Sequence, residues 1–436
     1  MEVGRSRHRE HTVVDHVVTV PLDHARPEGE QLEIFAREIV RVDRADSSDL
    51  PFLLFLQGGP GGKSPRPHQG HAWVARAAER YRVVLLDQRG TGRSTPATRQ
   101  TLPRRGGPEE QAAYLAHFRA DSIVADAELL RRELVGDEPW SVLGQSYGGF
   151  CALTYLSFAP HGLREVFVTG GLAPLTGGPD DVYRVTYVRT REANERFFAR
   201  YPEDRERCRE IVRMLAARDV RLPTGERLTP RRFQAAGMGL GMRSSFDALH
   251  YVLEEAFVEG VDGPELSDTF LHELSSMLGI ADRPLYAVMH EPSYGQGFAP
   301  RWSAERMLAD FPEFDVRSMI EGDAPFLFTG EMTYPYQFEE DPALVPLREA
   351  AHLLAEKDDW PALYDPDRLA RNEVPVYAAV YYDDMYVARD YSLATAAAVR
   401  NLVPWITNEY QHDGLRQGGT AVIDRLFAMA GSGGQA

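Results

Sequence analysis

Cysteine is scarce. The chain of 436 residues has two, Cys151 and Cys208, too few for a disulfide framework and in keeping with a reducing compartment. No run of about 18 apolar residues occurs, so no membrane-spanning helix is expected. The first residues, Met1 to His8, lack the apolar stretch of a secretory signal. Positive charge is in deficit: 48 Lys and Arg against 65 Asp and Glu leave a formal charge of −17, which argues against nucleic acid or an anionic membrane as partner. The glycine-rich loops contain neither Gly-x-x-x-x-Gly-Lys-Ser/Thr nor Gly-x-Gly-x-x-Gly, so the common phosphate cradles are set aside. No His-Glu-x-x-His string or clustered Cys/His spacing calls for a metal. The expectation is a cytoplasmic protein with no cofactor.

A 43% hydrophobic share with 10% aromatics supports a well-buried core. The length exceeds that of one simple domain, so a core carrying a large insertion is expected. Three apolar runs are followed at once by glycine-rich strings. Residues 51–56 lead into Gln57-Gly58-Gly59-Pro60-Gly61-Gly62, and 83–86 into Asp87-Gln88-Arg89-Gly90-Thr91-Gly92-Arg93-Ser94. Residues 140–143 lead into Gly144-Gln145-Ser146-Tyr147-Gly148, after which 150–156 read as a helix of small and apolar residues. Runs without alternation suggest strands covered on both faces, as in a parallel sheet. A serine on a strand-to-helix turn projects its hydroxyl from the sheet, and small neighbours let backbones pass closely. Glycines directly after a strand leave backbone N–H groups that can receive an oxyanion.

A nucleophilic serine needs a base and an orienting acid, and on this architecture they follow it in the order acid, then histidine. The strand candidate 374–380 is followed by Asp383 and Asp384, and the strand candidate 402–406 by His412. His412 therefore has the order and the strand-end position of the base. Strand-to-acid spacing favours Asp384, with Asp383 left open. Elsewhere, 13–20 and 32–40 read as an antiparallel hairpin at the sheet edge, 121–136 as an amphipathic helix, and 166–169 as a strand. From 178 to 365 the sequence turns to long charged, helix-favouring stretches. The chain thus divides into a first core part (1–177), a helical cap (178–365) and a second core part (366–436).

Taken together, the strings at 57–61, 87–94 and 144–149 resemble the prolyl aminopeptidase (proline iminopeptidase) family of α/β-hydrolases. The resemblance runs through the first 175 or so residues and resumes near Val374. The family's first string usually begins with His, where this chain has Gln57, a departure that touches local hydrogen bonding only. The resemblance implies an α/β-hydrolase fold, with a mostly parallel sheet and an inserted helical cap. It also implies a serine exopeptidase that releases an N-terminal residue, preferentially proline, from peptides with a free N-terminus. Ser146 would attack, His412 take its proton, Asp384 orient the imidazole, and the N–H groups of Gly59 and Tyr147 receive the oxyanion. Two cap segments look like the family's amine-binding positions and supply Glu291 and Glu331 among aromatics. An ammonium entering a site closed to water needs such charge, or its desolvation is prohibitive. Three other readings stand beside these. The two glutamates could lie on solvated turns. A carboxylesterase or amidase of the same fold would share the triad without the amine pocket. A non-enzymatic binding protein on this scaffold normally carries a damaged triad.

Overall fold

Short apolar runs without alternation form the middle of a nine-stranded sheet. The structure is a computed structural model that describes residues 1–47, 49–67, 71–322 and 324–431. Its strands are β1 (Glu2–His8), β2 (His11–Pro21), β3 (Gln31–Arg41), β4 (Phe52–Leu56), β5 (Arg82–Leu86), β6 (Trp140–Gln145) and β7 (Leu163–Thr169). A hairpin of β8 (Phe257–Gly260) and β9 (Gly263–Leu266) stands apart, and β10 (Val376–Tyr381) and β11 (Leu402–Thr407) complete the main sheet. Its order is β1-β2-β3-β5-β4-β6-β7-β10-β11. Pairing is antiparallel from β1 to β5 and parallel from there to β11. The expected hairpin of β2 and β3 is present, but it is not the edge. β1 pairs outside it, and its largely exposed sequence Glu-Val-Gly-Arg-Ser-Arg-His carries no apolar pattern to announce a strand.

Helices Ala120–Val135 and Tyr147–Phe158 lie together against this sheet. The second is apolar around its whole circumference, which suits a helix buried on every side. It can lie that close because Gly148 and Gly149 have no side chain: a Cβ on either would collide with the carbonyl of Leu56 or of Gly171.

The string at 87–94 proves to be architectural. Asp87 accepts from Ser64 N at 3.1 Å and pairs with Arg66, while Gln88 Nε2 donates to Gln57 O at 2.9 Å. Arg89, buried, donates from Nε to Asp126 Oδ2 at 2.7 Å and from Nη1 to the carbonyls of Leu22 and His117, both at 2.8 Å. These contacts fix the loops at the carboxyl ends of β4 and β5.

Between β7 and β10 the chain adds no strand to the main sheet. This insertion is mainly helical, beginning with Pro179–Arg200 and Glu203–Ala217. It has its own aromatic packing, with Phe233, Phe326 and Phe328 in mutual contact and Phe197 against Phe328. Arg119, buried at the start of the Ala120–Val135 helix, latches onto it. Nη1 donates to Gly295 O at 2.5 Å and Pro292 O at 3.3 Å, Nη2 to Pro361 O at 2.6 Å, and the guanidinium lies 4.8 Å from the Trp360 ring centre. Among the described residues no helix is long and apolar enough to cross a membrane.

Candidate active site

Ser146 occupies the turn between β6 and the Tyr147–Phe158 helix with φ 56° and ψ −124°, a region costly for a residue with a side chain. The neighbours hold it there: its N–H donates to Thr169 O at 3.0 Å, and its carbonyl accepts from Gly149 N at 2.7 Å. The loop after β4 presses on it so closely that a Cβ on Gly58 would lie 2.8 Å from Ser146 Cβ.

The carboxyl ends of β10 and β11 bring the other two groups. His412 Nε2 is 2.9 Å from Ser146 Oγ, and Nδ1 is 2.8 Å from Asp384 Oδ2. A carboxylate only accepts, so Nδ1 carries the proton and Nε2 is left to accept from the serine. Asp384 is held in turn by the N–H groups of Tyr386 and Val387, each 2.9 Å from Oδ1. Burial works against a charged His412, yet the adjacent Asp384 carboxylate outweighs it and raises the imidazole pKa. Asp383 is half-buried and makes no hydrogen bond or ion pair with the ring. The Tyr386 ring packs edge-on to His412, centres 4.6 Å apart, and its hydroxyl is tied to Met238 O at 2.6 Å. Sequence reasoning missed Tyr386; its only signal was its place two residues beyond the acid.

The backbone N–H groups of Gly59 and Tyr147 have no acceptor among the described residues. Gly59 has φ +140°, so its backbone follows a course that glycine permits. With Ser146 and His412 it lines a cavity of about 540 Å³, which Tyr286, Glu331 and Tyr386 also line.

The two glutamates are placed differently. Glu331 faces the cavity and accepts from Tyr286 Oη at 2.8 Å. Burial pushes its carboxyl up to about 7, with His412 pulling the other way. Glu291 is 4% exposed and does not line the cavity. Its oxygens accept from Ser303 N and Ala304 N, each at 2.9 Å. They secure the chain after Arg301 and Trp302, two consecutive non-glycine residues with φ of 51° and 53°. Burial pushes Glu291 up to about 7 as well, against those two N–H groups. Both glutamates act on Tyr183, whose phenol is held well above its ordinary value by burial first and then by Glu291 and Glu331. So neither lies on a solvated turn, but one faces the cavity and the other supports its surroundings.

A protein-family model described as alpha/beta hydrolase fold matches residues 51–228. The chain is 49% identical over 415 residues to a proline iminopeptidase of Aeromonas sobria, covering 95% of each chain. It is 38% identical over 421 residues to a proline iminopeptidase of Aspergillus aculeatus, covering 94% of this chain and 92% of that one. Similarity this high, spread over nearly the whole of both partners, reaches through core and insertion alike, and the chain belongs to the proline iminopeptidase family.

Proposed function

We propose that this chain hydrolyses the first peptide bond of peptides with a free N-terminal amine, preferentially proline, through an acyl-enzyme on Ser146. Ser146 Oγ attacks the scissile carbonyl as His412 Nε2 takes its proton, and Asp384 stabilises the imidazolium that forms. The N–H groups of Gly59 and Tyr147 receive the oxyanion. His412 then gives its proton to the leaving amine, and a water activated by the same imidazole releases the acyl group. Glu331 takes the substrate ammonium, and Glu291 adds negative charge behind the cavity wall while fixing the segment at 303–304. The observation that carries this reading is the presence of Glu331 in the same cavity as the hydrogen-bonded Ser146 and His412. A generic esterase has no use for such a carboxylate in the cavity wall. Both cysteines are buried and free, which supports a cytoplasmic location.

The test compares prolyl-2-naphthylamide with its N-acetyl derivative. Acetylation removes the cation and leaves Glu331 facing a neutral amide, so only the free amine should be turned over well. Equal cleavage of both would overturn the exopeptidase reading and leave an esterase or amidase.

A further inference from the structure

Lysine occurs twice in the chain, at 63 and 357, and every other permanently cationic side chain is arginine. Lys357 is engaged, paired with Asp359 and lying 5.2 Å from the Trp360 ring centre. Lys63 is not. It follows the glycines of the loop after β4, is exposed, and lines the cavity that holds Ser146. Its ammonium makes no hydrogen bond or ion pair among the described residues.

The other permanently charged groups of the cavity wall largely cancel. Arg283 lies 3.4 Å from Asp282, and Arg416 lies 3.6 Å from Asp413. What remains uncompensated is one carboxyl, Glu331, and one ammonium, Lys63, with the serine in the same chamber. That pattern matches a zwitterion. A peptide of two or three residues spans about 7–10 Å when extended, a length suited to a cavity of about 540 Å³. The molecule's charge of −17 repels anions in general, so a substrate carboxylate would need a local cation to be received.

We propose that Lys63 binds the C-terminal carboxylate of short peptides, making free-acid di- and tripeptides the preferred substrates. This rests on the function proposed above, with Glu331 at the amine end. Lys63 is a specificity determinant and takes no part in bond cleavage.

The experiment measures kcat/KM for Pro-Gly-Gly as the free acid and as the C-terminal amide, alongside prolyl-2-naphthylamide, in wild type, Lys63→Gln and Lys63→Arg. Wild type should favour the acid by about fivefold, chiefly in KM, as expected for one partly solvated ion pair. The preference should shrink as salt is raised. Lys63→Gln should bring the acid-to-amide ratio to one or below, and Lys63→Arg should keep it. An equal rate on acid and amide in wild type would overturn the proposal without needing any variant, as would a ratio unchanged in Lys63→Gln. Loss of both peptides in equal proportion in Lys63→Gln would also overturn it, since that marks a structural role. Failure of wild type to cleave prolyl-2-naphthylamide would instead defeat the aminopeptidase reading beneath it.

Discussion

Asp383 and Asp384 are neighbours in the chain, yet only Asp384 reaches His412, at 2.8 Å, and only it is held by two backbone N–H groups. Asp384→Asn should lower kcat by about 10⁴, because an amide favours the wrong imidazole tautomer. Asp383→Asn should stay close to wild type, and steady-state kinetics of the pair checks both. Ser146, His412 and Asp384 were legible because each follows an apolar strand at its carboxyl end. The choice between adjacent aspartates rested on spacing alone, since the turn that orients them is built from backbone contacts. Tyr386 had no signal beyond its place after the acid, because its partner Met238 lies 148 residues away. Glu331 carries a further consequence. Its carboxyl is pushed from 4.5 up to about 7, so the folded state holds a proton that the unfolded state has released. The stability this gives is fully present below about pH 4.5 and is lost as pH rises through 7. Glu331→Gln, always neutral, should therefore gain stability relative to wild type between about pH 5 and pH 8, read from urea melts at each pH. The same variant should lose about 2–5 kcal/mol in kcat/KM on a free prolyl substrate. Its activity on a small neutral ester should change little. Equal loss on both substrates would show that Glu331 holds structure and not substrate.

At the level of elements, the inner parallel strands announced themselves by short unalternated runs, because they are covered on both faces, whereas β11 at the sheet edge alternates. β1 did not announce itself, since an exposed edge strand needs no apolar face. The helical character of the insertion was plain from composition, but how it seats on the sheet was not. Part of that seating passes through Arg119, whose acceptors lie 173 to 242 residues further along the chain. Replacing it with Leu would take away the Arg119 donor from Gly295 O and Pro361 O, while Pro292 O keeps the N–H of Gly295, and would remove a buried cation. Arg119→Leu should cost about 1–3 kcal/mol in denaturant melts, the range for buried polar groups left unpaired. It should also raise KM more than it lowers kcat, because the segment it holds at 292–295 directly follows Glu291. A variant with unchanged stability would show that the latch contributes nothing.

Across the whole molecule, sheet and insertion do different parts of one task. The sheet supplies groups that need fixed positions: a strained serine, an imidazole held from both sides, and backbone donors in glycine-bounded loops. The insertion brings Tyr286 and Glu331 to face the same cavity, the groups to which the proposed function gives substrate selection. Glycine-rich strings exposed the first part to sequence reading, since close backbone approach admits few other residues. The second part came through resemblance to a family, because a glutamate among aromatics has no spacing rule of its own. The two glutamates differ in placement, as Glu291 spends both oxygens on Ser303 and Ala304. The proposed mechanism turns on Ser146 as the group that becomes acylated. The most direct test is kcat on prolyl-2-naphthylamide for wild type and Ser146→Ala, with the fold of each checked by circular dichroism. A loss on the order of a million-fold in a folded Ser146→Ala is the predicted result, and ordinary turnover by that folded variant would contradict the account.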